Sequence, residues 1–168
     1  MSKGFVILAV DQPNSNVYLN CANTLKSSLL NVMPNANVTV LTVNDLPEGD
    51  LAPDSDWKLI NDVQVYDASP YDETIKLEAD MYIPRNIEHW FDVLNIRDVA
   101  ICTKIRNFRQ ELSDQRFYRR FIDDSKLPDA YNAITYVKKS ETAKQFYDII
   151  SDVFVHWDDY NATLKCNP

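Results

Sequence analysis

The chain has 168 residues, 45% of them hydrophobic and 25% charged, a profile typical of one soluble globular domain with one substantial core. The net charge of −8 argues against a general nucleic-acid binder with a broad basic face, although it leaves room for a local basic patch. Two glycines are too few for the Walker phosphate loop or the GxGxxG dinucleotide turn, and two histidines do not predict a multi-histidine metal site.

Cysteine usage and hydropathy indicate the compartment. Cys21, Cys102 and Cys166 form no CxxC pair and no disulfide framework, which favours a reducing environment. No apolar segment is long enough for a signal-peptide core or a transmembrane span. We therefore expect a cytoplasmic protein.

The predicted elements of the first part of the chain alternate between strand and helix. Residues 5–10 form a continuous apolar run, which is typical of a strand buried on both faces. Apolar residues at helical spacing predict a helix over residues 18–30, and residues 38–43 predict a second strand. This order indicates a βαβ unit with parallel strands.

The later elements continue the alternation. Residues 57–67 predict a short helix, 74–81 a strand, and 86–94 a helix capped by Asn86. Residues 99–103 and 133–137 predict two further strands, about 114–123 a helix, and Ser140 caps a last amphipathic helix. The sequence therefore predicts one α/β domain over residues 1–168, with a mostly parallel sheet flanked by helices on both faces.

Two carboxylates, Glu78 and Asp80, stand at the C-terminal end of the strand predicted over residues 74–81. Positions i and i+2 of a strand project to the same side, and neighbouring carboxylates repel each other unless a cation is present. Ligands of open α/β sheets bind beyond the carboxyl ends of the strands. The pair therefore predicts a Mn²⁺ or Mg²⁺ site beside an anionic ligand such as a diphosphate, the alternative being an ordinary acidic strand end.

Three segments, taken in order, carry a resemblance to a known family. They are the first strand with Tyr18 and the following helix, the segment from Ser69 to Met81, and the segment from Leu127 to Tyr136. They resemble the nucleoside-binding strand and loop, the DxD segment and the late "fNaGvmvf" strand of the GT-A glycosyltransferases, the nucleotide-diphospho-sugar transferase superfamily. The glycogenin-like members are the most similar, and there is a weaker likeness to tailed-bacteriophage proteins. The sequence departs from the family pattern where Glu78 replaces the first aspartate of DxD and where the glycine of the late strand is missing.

The resemblance implies a GT-A, Rossmann-like domain that acts as a metal-dependent glycosyltransferase. Such a protein transfers a sugar from a UDP- or GDP-sugar to an acceptor hydroxyl of a glycan, a protein or a modified DNA base. The residues expected to bind the donor, by their place at the strand ends and their match to the family segments, are Ala9, Val10, Asp11, Tyr18, Asp129 and Asn132. Lys58 is added as a lysine that is a candidate to approach the diphosphate.

Several of these residues also have a plain structural interpretation. Asp11 is equally typical of a residue flanking a helix and Tyr18 of a core residue, whereas Asp129 and Asn132 favour turns on their own. Lys76 fits either an approach to the diphosphate or a solvent-facing position.

The basic residues after residue 103 are also open to two interpretations. Lys104, Arg106 and Arg109 are candidates for a phosphate clamp. The arginines of residues 116–120 fit either a polyanion contact or the basic face of an amphipathic helix.

Two other functions stay open. A catalytically inactive GT-A-like nucleotide-binding or structural module is one alternative. It is supported by the lack of an evident late histidine ligand and by the expectation that an acceptor-side C-terminal segment is lacking. A sugar nucleotidyltransferase is the other alternative, although its glycine-rich signature is missing. For a phage-encoded protein the expected location is the host cytoplasm.

Overall fold

A mixed β-sheet organises the fold. The computed structural model describes residues 1–55, 58–103, 109, 126 and 130–164. Within these ranges the sheet has five strands in the order β2-β1-β3-β5-β4. Their bounds are β1 (Lys3–Leu8), β2 (Val38–Leu41), β3 (Glu73–Leu77), β4 (Val99–Cys102) and β5 (Tyr131–Lys138).

The strand directions confirm a mostly parallel sheet. Strands β2 and β3 both pair in parallel with β1, whereas β5 runs antiparallel to its neighbours β3 and β4. Four of the five strands therefore point the same way, and β5 is the exception.

Helices connect and cover the strands. Their bounds are α1 (Val17–Val32), α2 (Val65–Ala68), α3 (Trp90–Leu94), α4 (Glu141–Val155) and α5 (Trp157–Leu164). Short 3₁₀ helices occur at Val43–Asp45 and Lys58–Gln64. Within the described part of the chain, no helix is long and apolar enough to cross a membrane.

The helix predictions are confirmed in part. Helix α1 forms where predicted, and Ser140 caps α4 by accepting a hydrogen bond from the Ala143 N–H at 3.1 Å. The helix predicted over residues 57–67 was wrong in type, because a 3₁₀ helix precedes α2 there. Its Asn61 side chain donates to the Lys58 carbonyl at 3.2 Å, and this competes with the regular helical hydrogen bond. The helix predicted near residues 114–123 lies outside the described residues.

Both faces of the sheet are covered, as predicted. On one face Phe5 and Ile75 pack with Leu25 and Leu29 of α1 in a single buried cluster. On the opposite face Val6 packs with Leu41 and with Val65 of α2, and Ala143 of α4 packs with Tyr66 and Val137. Successive strand residues point to alternate faces, and both faces are covered, so β1 and β3 are buried along almost their whole length.

The strand ends bring the site residues to one edge of the sheet. Ile7 of β1 pairs with Leu77 of β3, so both strands end side by side. Strand β3 ends at Leu77 and not at residue 81 as predicted, because the Met81 N–H turns back to the Glu78 carbonyl at 3.3 Å. Glu78 and Asp80 therefore extend from a loop and a turn, and strand alternation does not set their directions.

Candidate functional site

A cavity of about 280 Å³, here called the first cavity, opens where β1 and β3 end. It is lined by Leu8, Val10, Tyr18, Lys58, Leu59, Asp62, Lys76, Glu78, Ala79 and Asp80. The structure thus brings both predicted metal ligands together with three of the predicted donor-binding residues, Val10, Tyr18 and Lys58.

The two carboxylates of the pair differ in environment. Glu78 is half-buried and Asp80 is exposed. Burial raises the pKa of the Glu78 carboxyl, the Lys76 ammonium opposes that rise, and the charges of Asp80 and Asp62 add to it. Ionised Glu78 is therefore held in unfavourable surroundings that a bound cation would improve.

Beneath the cavity lies a buried ion pair. Lys76 of β3 is 3% exposed, and its ammonium lies 2.6 Å from Asp62 Oδ2 and donates to the Asn132 carbonyl at 3.0 Å. Burial raises the pKa of the Asp62 carboxyl, and the Lys76 charge opposes the rise only in part. Of the two interpretations of Lys76, the solvent-facing one was wrong, because Asp62 provides the buried ammonium with a counterion.

Sequence reasoning missed Asp62, although one signal pointed to it. A lysine inside a strand whose every residue is buried needs a counterion, because an isolated buried ammonium is too costly. Asp62 is one of the acidic residues that precede β3 along the chain.

The charged groups of Lys58 and Asp11 are engaged inside the protein. The Lys58 ammonium lies 2.6 Å from Asp50 Oδ2 and donates to the Ala52 carbonyl at 2.8 Å. The Asp11 carboxylate accepts the backbone N–H groups of Tyr18 at 2.8 Å and Leu19 at 3.0 Å, at the start of α1. This geometry fits the helix-flanking interpretation of Asp11.

Among the remaining predicted residues that the structure describes, Ala9 and Asn132 do not line the first cavity. Ala9 is 3% exposed and does not line it, and Asn132 instead donates from its side-chain amide to Asp62 Oδ2. Asp129 lies outside the described residues, as do the basic residues from 104 to 120 apart from Arg109.

The residues present fit a divalent cation only with help from a ligand. In the described ranges, no group of three or more His, Cys, Asp or Glu side chains is placed to hold a metal ion. Glu78 and Asp80 offer the oxygen donors that Mg²⁺ and Mn²⁺ prefer, and Mg²⁺ is often held by one or two carboxylates plus phosphate oxygens and water. Phosphate oxygens and water would therefore have to complete the coordination.

Comparison with known proteins gives a likeness at the level of the fold. No family model matches the chain, and no curated protein sequence matches it. Its structure is similar to that of mouse xyloside xylosyltransferase 1 in the apo form, with a TM-score of 0.52 and 12% identity. The similarity covers 91% of this chain and 71% of that chain. The chain therefore shares an α/β fold with that protein over most of its length.

Proposed function

We propose that this chain binds a nucleotide-diphosphate sugar in the first cavity and transfers the sugar to an acceptor hydroxyl. One observation carries the proposal: Glu78 and Asp80 share a cavity with Val10 and Tyr18 at the carboxyl ends of adjacent parallel strands. Ligands of open α/β sheets bind at this edge. The fold likeness to a protein named as a xylosyltransferase adds support, although fold alone does not decide function.

The proposed placement follows the chemistry of the cavity wall. The nucleoside lies beside Val10 and Tyr18, a residue that is 43% exposed and whose ring can stack on a base. The diphosphate lies toward Glu78 and Asp80, where a Mn²⁺ or Mg²⁺ ion would be held. A bound ion would neutralise the negative charge that develops on the leaving nucleoside diphosphate. Without a cation, two carboxylates and a diphosphate would repel one another.

A second candidate is a nucleotide-binding module without turnover. Lys58 and Asp11, both predicted to contact the donor, have their charges engaged by Asp50 and by the start of α1. Among the described lining residues, the cavity therefore offers no cation that is free of an ion pair. This observation favours binding without catalysis.

Thermal unfolding of the full chain with UDP-glucose, UDP-galactose and GDP-mannose, each with and without Mn²⁺, tests donor binding. At a ligand concentration 100 times Kd, binding to the folded state adds about 2.7 kcal/mol. For a domain of this size that gain raises the Tm by roughly 5–10 °C. Glu78→Gln and Asp80→Asn should abolish the metal-dependent part of the shift.

Matched controls remove the same charges elsewhere. Glu88→Gln and Asp158→Asn change exposed carboxylates that do not line the first cavity, and the shift should persist in both. Release of the nucleoside diphosphate from the donor that binds then distinguishes turnover from binding alone. No metal-dependent shift with any donor contradicts the proposal, and a shift without turnover supports the inactive module.

A further inference from the structure

A second cavity of about 220 Å³ adjoins the first, and Leu59 and Asp62 line both. Most of its other described walls are apolar or aromatic. Helix α4 supplies one wall, formed by Phe146, Tyr147, Ile150 and Phe154. The polar residues Asn132 and Thr135 form a polar wall together with Asp62, to which the Asn132 amide donates a hydrogen bond.

The aromatic wall is held in place by its own contacts. The Tyr147 ring stacks on Tyr66 at 5.2 Å with an interplanar angle of 23°, and it meets Phe146 edge-on at 5.5 Å. Rigid aromatic faces suit a flat apolar ring, because offset-stacked and edge-to-face arrangements are both favourable. The small volume fits a group the size of one ring better than a drug-sized ligand.

One carboxylate oxygen of the polar wall, Asp62 Oδ1, has no donor within the part of the chain that the structure describes. Asp62 Oδ2 accepts hydrogen bonds from Lys76 and from the Asn132 amide, and Thr135 Oγ1 fixes that amide by donating to Asn132 Oδ1 at 2.6 Å. Asp62 Oδ1 accepts no hydrogen bond from the described residues, although its side chain is only 11% exposed. A buried acceptor without a partner is costly, so this oxygen has a strong requirement for a donor.

We propose that the second cavity is an acceptor subsite for a small hydroxylated compound with an aromatic ring. The ring lies against the α4 wall, and a hydroxyl of the compound donates a hydrogen bond to Asp62 Oδ1. The assignment as an acceptor subsite rests on the proposed glycosyltransferase function. Asp62 faces both cavities, so a hydroxyl held there lies at the boundary with the donor.

Binding of phenyl β-glucoside and methyl β-glucoside, measured by calorimetry with the full chain and no metal or nucleotide, tests the subsite. We expect phenyl β-glucoside to bind at least about tenfold more tightly, because only its ring contacts the α4 wall. Ile150→Glu places a charge in the cavity and should remove this preference. Ile149→Glu is the matched control, because Ile149 is 64% exposed on the same helix and does not line the cavity.

The hydroxyl contact needs a variant that keeps the protein folded. Asp62→Asn alone leaves the Lys76 ammonium buried without its counterion, so the double variant Asp62→Asn/Lys76→Met is used. We expect it to weaken phenyl β-glucoside binding by about tenfold or more, as expected for a lost hydrogen bond to a charged group.

The outcomes separate this inference from the proposed function. Equal affinity for the two glucosides, no binding of either, or equal effects of the two isoleucine variants would overturn the subsite. An unchanged affinity in the double variant would overturn the role of Asp62. If the phenyl compound binds as expected but no nucleotide sugar does, the aromatic hydroxyl site stands and its assignment to an acceptor falls.

Discussion

Replacement of Lys76 by methionine should destabilise the protein by about 3–5 kcal/mol, because it leaves the buried Asp62 carboxylate without its counterion. Lys76 is 3% exposed, the Asp62 side chain is 11% exposed, and their charged atoms lie 2.6 Å apart, so solvent cannot replace the lost counterion. For a domain of this size the loss corresponds to a fall in Tm of roughly 6–20 °C. Methionine keeps the apolar stem of the side chain, so the change isolates the charge.

The destabilisation should depend on pH with a definite sign. Burial already raises the pKa of Asp62, whereas the positive charge of Lys76 lowers it. Removal of that charge therefore raises the Asp62 pKa further. A carboxyl whose folded pKa exceeds its unfolded pKa binds protons more readily in the folded state, so its penalty is present above the folded pKa. The Tm deficit of Lys76→Met should therefore be largest near pH 7.5 and shrink as the pH falls through the raised folded pKa toward the unfolded value of 3.8.

Calorimetric or fluorescence melting from about pH 4.5 to 8 measures this deficit against two controls. Lys144→Met removes an exposed lysine paired with Asp148 at 2.8 Å and should leave the Tm nearly unchanged, because solvent screens an exposed ion pair. The double variant Lys76→Met/Asp62→Leu removes both charges and should recover most of the loss. A deficit below about 1 kcal/mol, or one that is equal at every pH, would refute the reasoning.

Three further predictions concern other parts of the fold. Gly4→Ala should lower the free energy of unfolding in urea by about 1–3 kcal/mol, because the added Cβ would overlap the Tyr71 ring. Gly49→Ala should cost only about 1 kcal/mol, because its Cβ meets open space and only the φ of +68° is unfavourable. Equal costs for the two variants would contradict the overlap. Ser140→Ala should lower the free energy of unfolding by about 1 kcal/mol or more through loss of the α4 cap. An unchanged free energy of unfolding would show that the cap does not stabilise the protein. Glu78→Gln in metal-free buffer should raise the Tm near neutral pH but not near pH 4, because burial raises the folded pKa of Glu78 and its ionisation opposes folding; a uniform shift at all pH values would exclude this origin.

Local patterns in the sequence were enough to predict most of the fold. The apolar run of β1, the helical stripe of α1 and the Ser140 cap each depend on residues close together in the chain. The antiparallel direction of β5 could not be predicted in this way. A strand buried between neighbours has the same apolar pattern in either direction, and its direction is set by its pairing with β3 and β4.

Part of the candidate site could be predicted from residues that follow buried strands, as Val10 follows β1 and as Glu78 and Asp80 follow β3. Glu78 and Asp80 were found because they directly follow a buried strand, and the first cavity does lie beside them. Asp62 was missed because only tertiary packing brings it to Lys76. Their role in binding a cation and a donor remains a proposal.

The position of β5 has a consequence for synthesis on the ribosome. Strand β3 has only β1 beside it until β5 has been made, and roughly sixty residues separate Leu77 from Lys138. At about 5–20 residues per second, one border of β3 stays unpaired in the growing polypeptide for roughly 3–12 s. An unpaired border of this kind invites intermolecular pairing, so translation speed through residues 78–130 should govern how much of the newly made protein aggregates.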